Sequence, residues 1–267
     1  MILRTIFLFF VAVGMLSAEA QAQLFLEQAK ISLDVSGGDH TNGSFLVHNT
    51  SAKSINVRVY WEDFEYKAPY DGTKLFLAGG TTPGSASQWI TFSPQTFTMP
   101  AFGQQRIDYT VSVPSQIEEG HYGVLFFESA NAGTSSQDNV SLITRLGCLF
   151  FIEPSNKSKK AVLQDIKLKK DGVTVSFANQ GNVILIPDTT YYMMQEGGLV
   201  LNRGGCKKLY VPPGAAGTLD IPFKKELDPG HYTLVVNSDL QDGDVIVKEI
   251  GLAVDAAGQI TIENSQD

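Results

Sequence analysis

The sequence predicts an all-β chain made of two copies of one domain, and three observations carry that expectation. Stretches such as Ile55-Asn-Val-Arg-Val-Tyr-Trp61, Ile107-Asp-Tyr-Thr-Val-Ser-Val113, Tyr122-Gly-Val-Leu-Phe-Phe127, Val173-Thr-Val-Ser-Phe177 and Tyr232-Thr-Leu-Val-Val236 alternate or run apolar between clusters of Gly, Pro, Asn and Asp, the pattern of strands. No long segment keeps the 3.6-residue period of a helix. A block of turns and strands also recurs. Pro100-Ala-Phe-Gly103, Arg106-Ile-Asp-Tyr109 and Glu118-Glu-Gly-His-Tyr122 are answered by Pro212-Pro-Gly214, Thr218-Leu-Asp-Ile221 and Asp228-Pro-Gly-His-Tyr232.

The spacing of the repeat is nearly conserved between the halves: Gly103 and Gly120 lie 17 positions apart, Gly214 and Gly230 lie 16 apart. Upstream, a strand ending in Asn49-Thr50 is matched by one ending in Asn179-Gln180. Fixed self-similarity of this kind marks a duplicated unit. In each copy the acidic-x-Gly-His-Tyr segment reads as a tyrosine corner: Gly120 and Gly230 permit the tight turn, while Tyr122 and Tyr232 bury a ring and return a hydroxyl to nearby backbone. That is a hallmark of immunoglobulin-like sandwiches. Two residues on, where antibody domains carry Cys, stand Val124 and Leu234, so each sandwich is expected to rest on core burial. The expected division is residues 23–154 and 155–267, parted near Glu153-Pro-Ser-Asn-Lys-Ser-Lys-Lys160. Residues 66–88, rich in Gly, Pro, Ser and Thr, are expected as an inserted surface loop or hairpin of the first domain.

Residues 1–22 combine Arg4, the apolar run Ile6-Phe-Leu-Phe-Phe-Val-Ala-Val13 and the small residues of Ser17-Ala-Glu-Ala-Gln-Ala22, the layout of a secretory signal peptide. That run is too short for a membrane span, which needs about 20 apolar residues, and no later stretch is longer. Export is expected, to the periplasm or alternatively to the exterior or cell surface. The net charge of −8 and the lack of a strong basic cluster argue against nucleic acid, since phosphate binding needs concentrated positive charge. Of the two cysteines, Cys148 lies in an apolar run and reads as a small buried hydrophobe, while an exported compartment also permits a bridge to Cys206.

Chemistry is sparse. His121 and His231 occupy equivalent corners of separate domains, so they do not make one metal site, and His40 and His48 lack partners at ligand spacing. Asp239-Leu-Gln-Asp-Gly-Asp244 lacks the ligand order of a calcium loop and reads as a hairpin turn at Asp242-Gly243. No nucleophile elbow, phosphate loop, dinucleotide fingerprint or zinc-protease helix is present. A non-catalytic protein without cofactor or metal is expected.

Several residues of the first half give the chain a resemblance to a known family. Asn49 is followed by Trp61; Ile90-Thr-Phe-Ser-Pro94 is followed by Phe97, Pro100, Gly103, Gln104-Gln105 and Arg106-Ile107; Asn139-Val-Ser-Leu-Ile-Thr-Arg145 leads to Leu149-Phe-Phe-Ile-Glu-Pro154. Over residues 30–154 the chain resembles the N-terminal domain of the periplasmic, PapD-like chaperones of pilus and fimbrial assembly, which have two immunoglobulin-like domains. The resemblance implies donor-strand complementation, in which the last strand of domain one is lent to a subunit lacking its own final strand. It implies pilin-like or other secreted subunits as partners, with an outer-membrane usher beyond them. The corresponding strand here is Val140 to Ile152, with Val140, Leu142 and Leu146 on one face; the same side chains are equally expected as core contacts of their own domain. Family members also clamp the client's terminal carboxylate between an Arg of the first strand and a Lys near the end of the last. Arg145 stands near the second position, whereas around Ile31-Ser-Leu-Asp-Val35 no basic match for the first is evident. The Arg-Glu-Ser segment of the family is replaced by Glu118-Glu-Gly-His-Tyr122. The alternative expectation is a cell-envelope adhesion or scaffold protein that contacts peptidoglycan or a partner protein through the 66–88 insertion.

Overall fold

The structure is a computed structural model that describes residues 24–130, 143–223, 227–241 and 244–266. The signal-peptide segment 1–22, residues Val140 and Leu142, and the turn at Asp242-Gly243 lie outside the described residues. Among the described residues there is no helix, and none therefore is long and apolar enough to cross a membrane.

The first half makes two facing sheets. One holds β1 (Leu24–Leu26), β3 (His40–Asn49), β8 (Gln104–Ser112) and β6 (Ile90–Ser93), in that order. The other runs β2 (Lys30–Val35), β10 (Ile143–Pro154), β9 (His121–Ala130), β4 (Ile55–Tyr66), β5 (Lys74–Ala78), with β7 (Thr96–Met99) also paired to β4. Alternate residues of each strand point inward, so Phe45, Val47, Ile107 and Val111 of the first sheet meet Val57, Leu125, Phe127, Cys148, Phe150 and Ile152 of the second in one core. Each such side chain contributes roughly 1.5–3 kcal/mol by leaving water.

The second half repeats the plan. A sheet of β11 (Ala161–Lys169), β12 (Gly172–Asn179) and β15 (Ala216–Pro222) faces one of β14 (Val200–Gly205), β13 (Asp188–Gln195), β16 (Gly230–Asp239), β17 (Val245–Val254) and β18 (Ile260–Gln266). Its separate core includes Val175, Phe177, Leu219, Tyr232, Leu234 and Ile250. Cys148 packs in the first core and Cys206 against the second, and both thiols are free. The bridge that the exported compartment would permit is therefore ruled out: each thiol belongs to a different hydrophobic core. Burial pushes the Cys148 thiol up to about 12.

The repeated asparagines have a shared physical role. Asn49 donates through Nδ2 to the carbonyls of Lys53 (2.7 Å) and Pro100 (2.8 Å), while its Oδ1 accepts from the amide of Ser51 (2.9 Å). Asn179 does the same with Val183 and Val211 (both 2.8 Å) and with Gly181 (2.8 Å). Each is buried and staples the end of its strand to the turn that opens the repeated Pro–Gly block. The only side chain that supplies an acceptor and two donors in this space is an amide.

The 66–88 insertion starts as a hairpin, one of the two forms expected of it, but its remainder is not a free surface loop. It opens on buried Tyr66, forms the β4–β5 hairpin, and then folds residues 79–89 back onto the sandwich around Ala86, which is fully buried. The cause is Asp63. This carboxylate has no exposed surface and accepts from the amides of Gly80 (2.9 Å), Thr81 (3.0 Å) and Thr82 (3.2 Å), from Ser85 Oγ (2.7 Å) and from Trp61 Nε1 (3.1 Å).

Replacing Asn179 by the isosteric Asp removes a donor from two buried carbonyls, and we expect a loss of roughly 2–5 kcal/mol in urea unfolding. Asn49→Asp, whose bonds are only part-buried, should cost less.

Candidate functional site

The feature that sets the first sandwich apart is the uneven pairing of β10. On one side its residues from Ile143 to Ile152 pair antiparallel with β9. On the other, β2 runs parallel to it, but only from Leu149 to Pro154. The reason lies at the start of the chain: β1 belongs to the opposite sheet, paired with β3, and the chain crosses between sheets before Lys30. Residues Ile143–Cys148 consequently have no strand on their outer side among the described residues. Such an edge offers unpaired N–H and C=O groups to another chain.

The side chains of β10 divide by parity. Leu146 points inward and packs against the first core, so of the two readings of this residue its geometry is that of a host-core contact. Ile143, at the open end, is 57 % exposed. Arg145 lies on the outer face, where it pairs with Glu62 (2.6 Å) and stacks 3.4 Å from the centre of the Phe126 ring. Its charge is already engaged, which makes it a poor anchor for a client carboxylate. Gly147 is the direct partner of Phe126; a Cβ there would come within 2.7 Å of Val124, so glycine lets that ring lie across the strand.

A first-strand cation is nevertheless present: Lys30, at the beginning of β2 and opposite Leu149. Its ammonium sits 4.0 Å above the Phe151 ring. Among the described residues it makes no ion pair, whereas its neighbour Lys157 is held by Asp34 (2.7 Å) and Glu153 (3.2 Å). Partial burial of Lys30 lowers its pKa, Glu153 opposes that shift, and Lys159 and Lys157 add to it. Lys30 is thus a cation at the start of β2, one position before the apolar Ile31.

The outer face of this sheet is aromatic. Phe64, Tyr66, Tyr122, Val124, Phe126 and Phe151 form a third buried cluster with Ile184 of the second sandwich, and Tyr66 stacks on Tyr210 at 4.9 Å. Here the two Gly-His-Tyr segments part company. Tyr232 donates to the Asp228 carbonyl (2.6 Å), the geometry of a tyrosine corner. Tyr122 does not bond back to its own turn: its hydroxyl accepts from the amide of Ile184 (2.9 Å), because Ile184 and its neighbours press against this face. The Gly120 amide likewise donates to Asn182 (2.9 Å), and Asn182 Nδ2 donates to Glu118 (2.6 Å). The corner reading therefore fails at Tyr122, which joins the two sandwiches. Gly120 is needed because a Cβ would strike the Tyr122 hydroxyl, whereas Gly230 adopts a positive φ of 155°.

The histidines also differ. His121 is packed against Trp89, ring centres 3.9 Å apart, with Nδ1 3.1 Å from the Ser85 carbonyl. His231 is exposed beside Glu263. Among the described residues no group of three or more His, Cys, Asp or Glu is arranged to hold a metal.

With this geometry in hand, two solved structures are similar to the chain. One is a chain of the chaperone–tip adhesin complex of CFA/I fimbriae biogenesis, at 13% identity and a TM-score of 0.53, covering 85% of this chain and 97% of that one. The other is the class 5 fimbriae chaperone CfaA, at 13% identity and a TM-score of 0.52, covering 84% and 97%. A scan of protein-family models and a search of curated proteins find no match. The chain has the two-sandwich fold of fimbrial chaperones.

Two outcomes follow from the junction. Tyr122→Phe strands a buried amide and should cost about 1–3 kcal/mol, whereas Tyr232→Phe frees an exposed carbonyl to water and should cost about 1 kcal/mol or less; urea midpoints compare them. Burial, the dominant influence, holds the His121 imidazole below its ordinary value of 6.5, while the Ser85 carbonyl and Glu119 pull the other way. The unfolded chain then binds the extra proton first, so this contribution to stability is complete above about pH 6.5 and declines as pH falls toward the folded-state value. Unfolding midpoints measured between pH 7.5 and 5.5 should fall more for the wild type than for His121→Gln.

Proposed function

We propose that this protein is a periplasmic chaperone that holds pilin-like or other surface-assembled subunits by lending them the upstream half of β10 as an additional strand. The observation that carries this reading is the open edge Ile143–Cys148 on a strand otherwise paired along both sides. Sheet augmentation gains affinity from main-chain hydrogen bonds and specificity from alternate side chains. Val140 and Leu142, which the family resemblance implies for the donated strand, lie outside the described residues, and Ile143 presents an exposed apolar side chain at the described end of β10. The fold supports the same reading, since it is that of CfaA and of a chain in a chaperone–tip adhesin complex.

Lys30 takes the anchoring part that the family resemblance assigns to a first-strand cation. It lies on the same sheet face as Phe151, beside the point where β2 begins to cover β10. A client terminal carboxylate brought there would meet an ammonium without an ion-pair partner among the described residues, and charge-assisted hydrogen bonds of this kind are the stronger ones.

Co-expression with a pilin-like subunit lacking its final strand checks both elements. Ile143→Asp should lower the recovery of soluble complex at least fivefold, and Lys30→Ala should weaken a client with a free terminal carboxylate more than one ending in an amide. Equal recovery with wild type and a well-folded Ile143→Asp chain would rule out this edge; equal sensitivity of the two client termini would remove Lys30 from the anchor.

A further inference from the structure

The chain holds a segment of its own that is long enough to close the open edge of β10. β2 runs parallel to β10 with Lys30 opposite Leu149, and the Leu149 amide still donates to the Ala29 carbonyl (2.9 Å) before the chain turns away. Continued upstream on both strands, that register sets Cys148 opposite Ala29, Leu146 opposite Glu27, Thr144 opposite Phe25 and Ile143 opposite Leu24. The stretch from Leu24 to Ala29 thus matches Ile143–Cys148 residue for residue. It would make six such pairs there, whereas in its present place β1 makes three with β3, from Leu24 opposite Asn49 to Leu26 opposite Val47.

Side-chain parity opposes this closure. Along β2 the odd positions face inward: Ile31 and Val35 are buried and Leu33 packs against the first core, while Lys30, Ser32 and Asp34 are exposed. Side chains alternate between the faces of a strand, and residues opposite one another share a face. Upstream extension would therefore turn Ala29, Glu27 and Phe25 inward, with Glu27 beside Leu146 and next to fully buried Cys148, among the apolar side chains of the first core. An ionised carboxylate placed there without a partner is strongly unfavourable. Crossing to the other sheet exchanges the two sets of side chains, as any shift of one residue does. Leu24 is then buried and Leu26 packs on the core, while Phe25, at 55% exposure, and Glu27 face outward. Glu27 is well satisfied in that place: its amide donates to the Leu46 carbonyl (3.2 Å), its Oε2 accepts from the Leu46 amide (3.3 Å), and its Oε1 lies 3.1 Å from His48 Nε2. The apolar residues alone do not choose between the arrangements, since one buries Phe25 and Ala29 and the other Leu24 and Leu26, and the closed one has the longer ladder. Glu27 is the residue that separates them.

We infer that Glu27 keeps the edge of β10 open: it is a positioning residue that holds β1 on β3 and bars residues 24–29 from pairing with Ile143–Cys148. An inward-pointing charge is one of the devices by which sheets prevent unwanted pairing. The consequence for client binding rests on the strand-lending reading, whereas the self-pairing is a property of the isolated chain and is measured there by amide hydrogen exchange. Because Glu27 is exposed, Glu27→Val leaves the core unaltered. It should slow exchange of the outward-facing amides between Ile143 and Cys148 at least tenfold, with Leu149–Pro154 protected as in the wild type. Adding Phe25→Asp should reopen the edge, since residue 25 also turns inward in the closed arrangement; alone, at its exposed site, Phe25→Asp should change nothing. In co-expression with a pilin-like subunit lacking its final strand, Glu27→Val should yield at least fivefold less complex than the wild type, and the double variant should restore it. Free exchange of Ile143–Cys148 in Glu27→Val, or slow exchange that persists after Phe25→Asp is added, would overturn the inference. Slowed exchange in Glu27→Val with undiminished capture of the subunit would uphold the role of Glu27 and count instead against Ile143–Cys148 as the client edge.

Discussion

Much of this molecule follows from one asymmetry: β2 pairs with the last six residues of β10 and with none of the preceding ones. Because the chain spends Leu24–Leu26 in the opposite sheet, no strand among the described residues seals the upstream edge. Natural sheets usually blunt such edges with charge, bulges or covering segments. The second sandwich offers a contrast, since its edge strand β18 carries Glu263, Asn264, Ser265 and Gln266, and β11 has a register shift between Gln164 and Lys167. The open stretch of β10 begins with Ile143 and has a regular ladder behind it.

The same sheet explains why the two sandwiches meet as they do. Its outer face is too aromatic to be left in water, and it is covered in part by its own cations and in part by the second sandwich. Arg145 lies over Phe126, Lys30 over Phe151 and Lys74 over Tyr66, each placing its charged group above a ring face. Where those cations stop, Ile184 and Tyr210 take over. Tyr122 stands at that boundary, and its hydroxyl is used across it.

Sequence reading reached the architecture because strands, turns and the repeated block are local patterns. Asn49 and Asn179 were visible as matched positions, but the bonds that tie them to the Pro–Gly turn span 51 and 32 residues and leave no local signature. Tyr122 and Tyr232 share a motif and differ in use, because what decides the partner of a hydroxyl is whatever packs above it. Lys30 escaped notice because its face is defined only by the register with Leu149 and Phe151. Arg145 was legible as a cation on the right strand, whereas its engagement by Glu62 depends on β4 and β10 lying on either side of β9. The insertion looked like a loop because Asp63, the residue that organises it, sits in the preceding strand and resembles any other strand acid.

Amide hydrogen exchange across β10, with and without a subunit that lacks its final strand, tests the central claim most directly. The account predicts that the outward-facing amides between Ile143 and Cys148 exchange freely in the isolated chain and become protected in the complex, while those from Leu149 to Pro154 are protected in both. Protection that appears only on another edge, such as β14 or β18, with Ile143–Cys148 still exchanging freely, would contradict it.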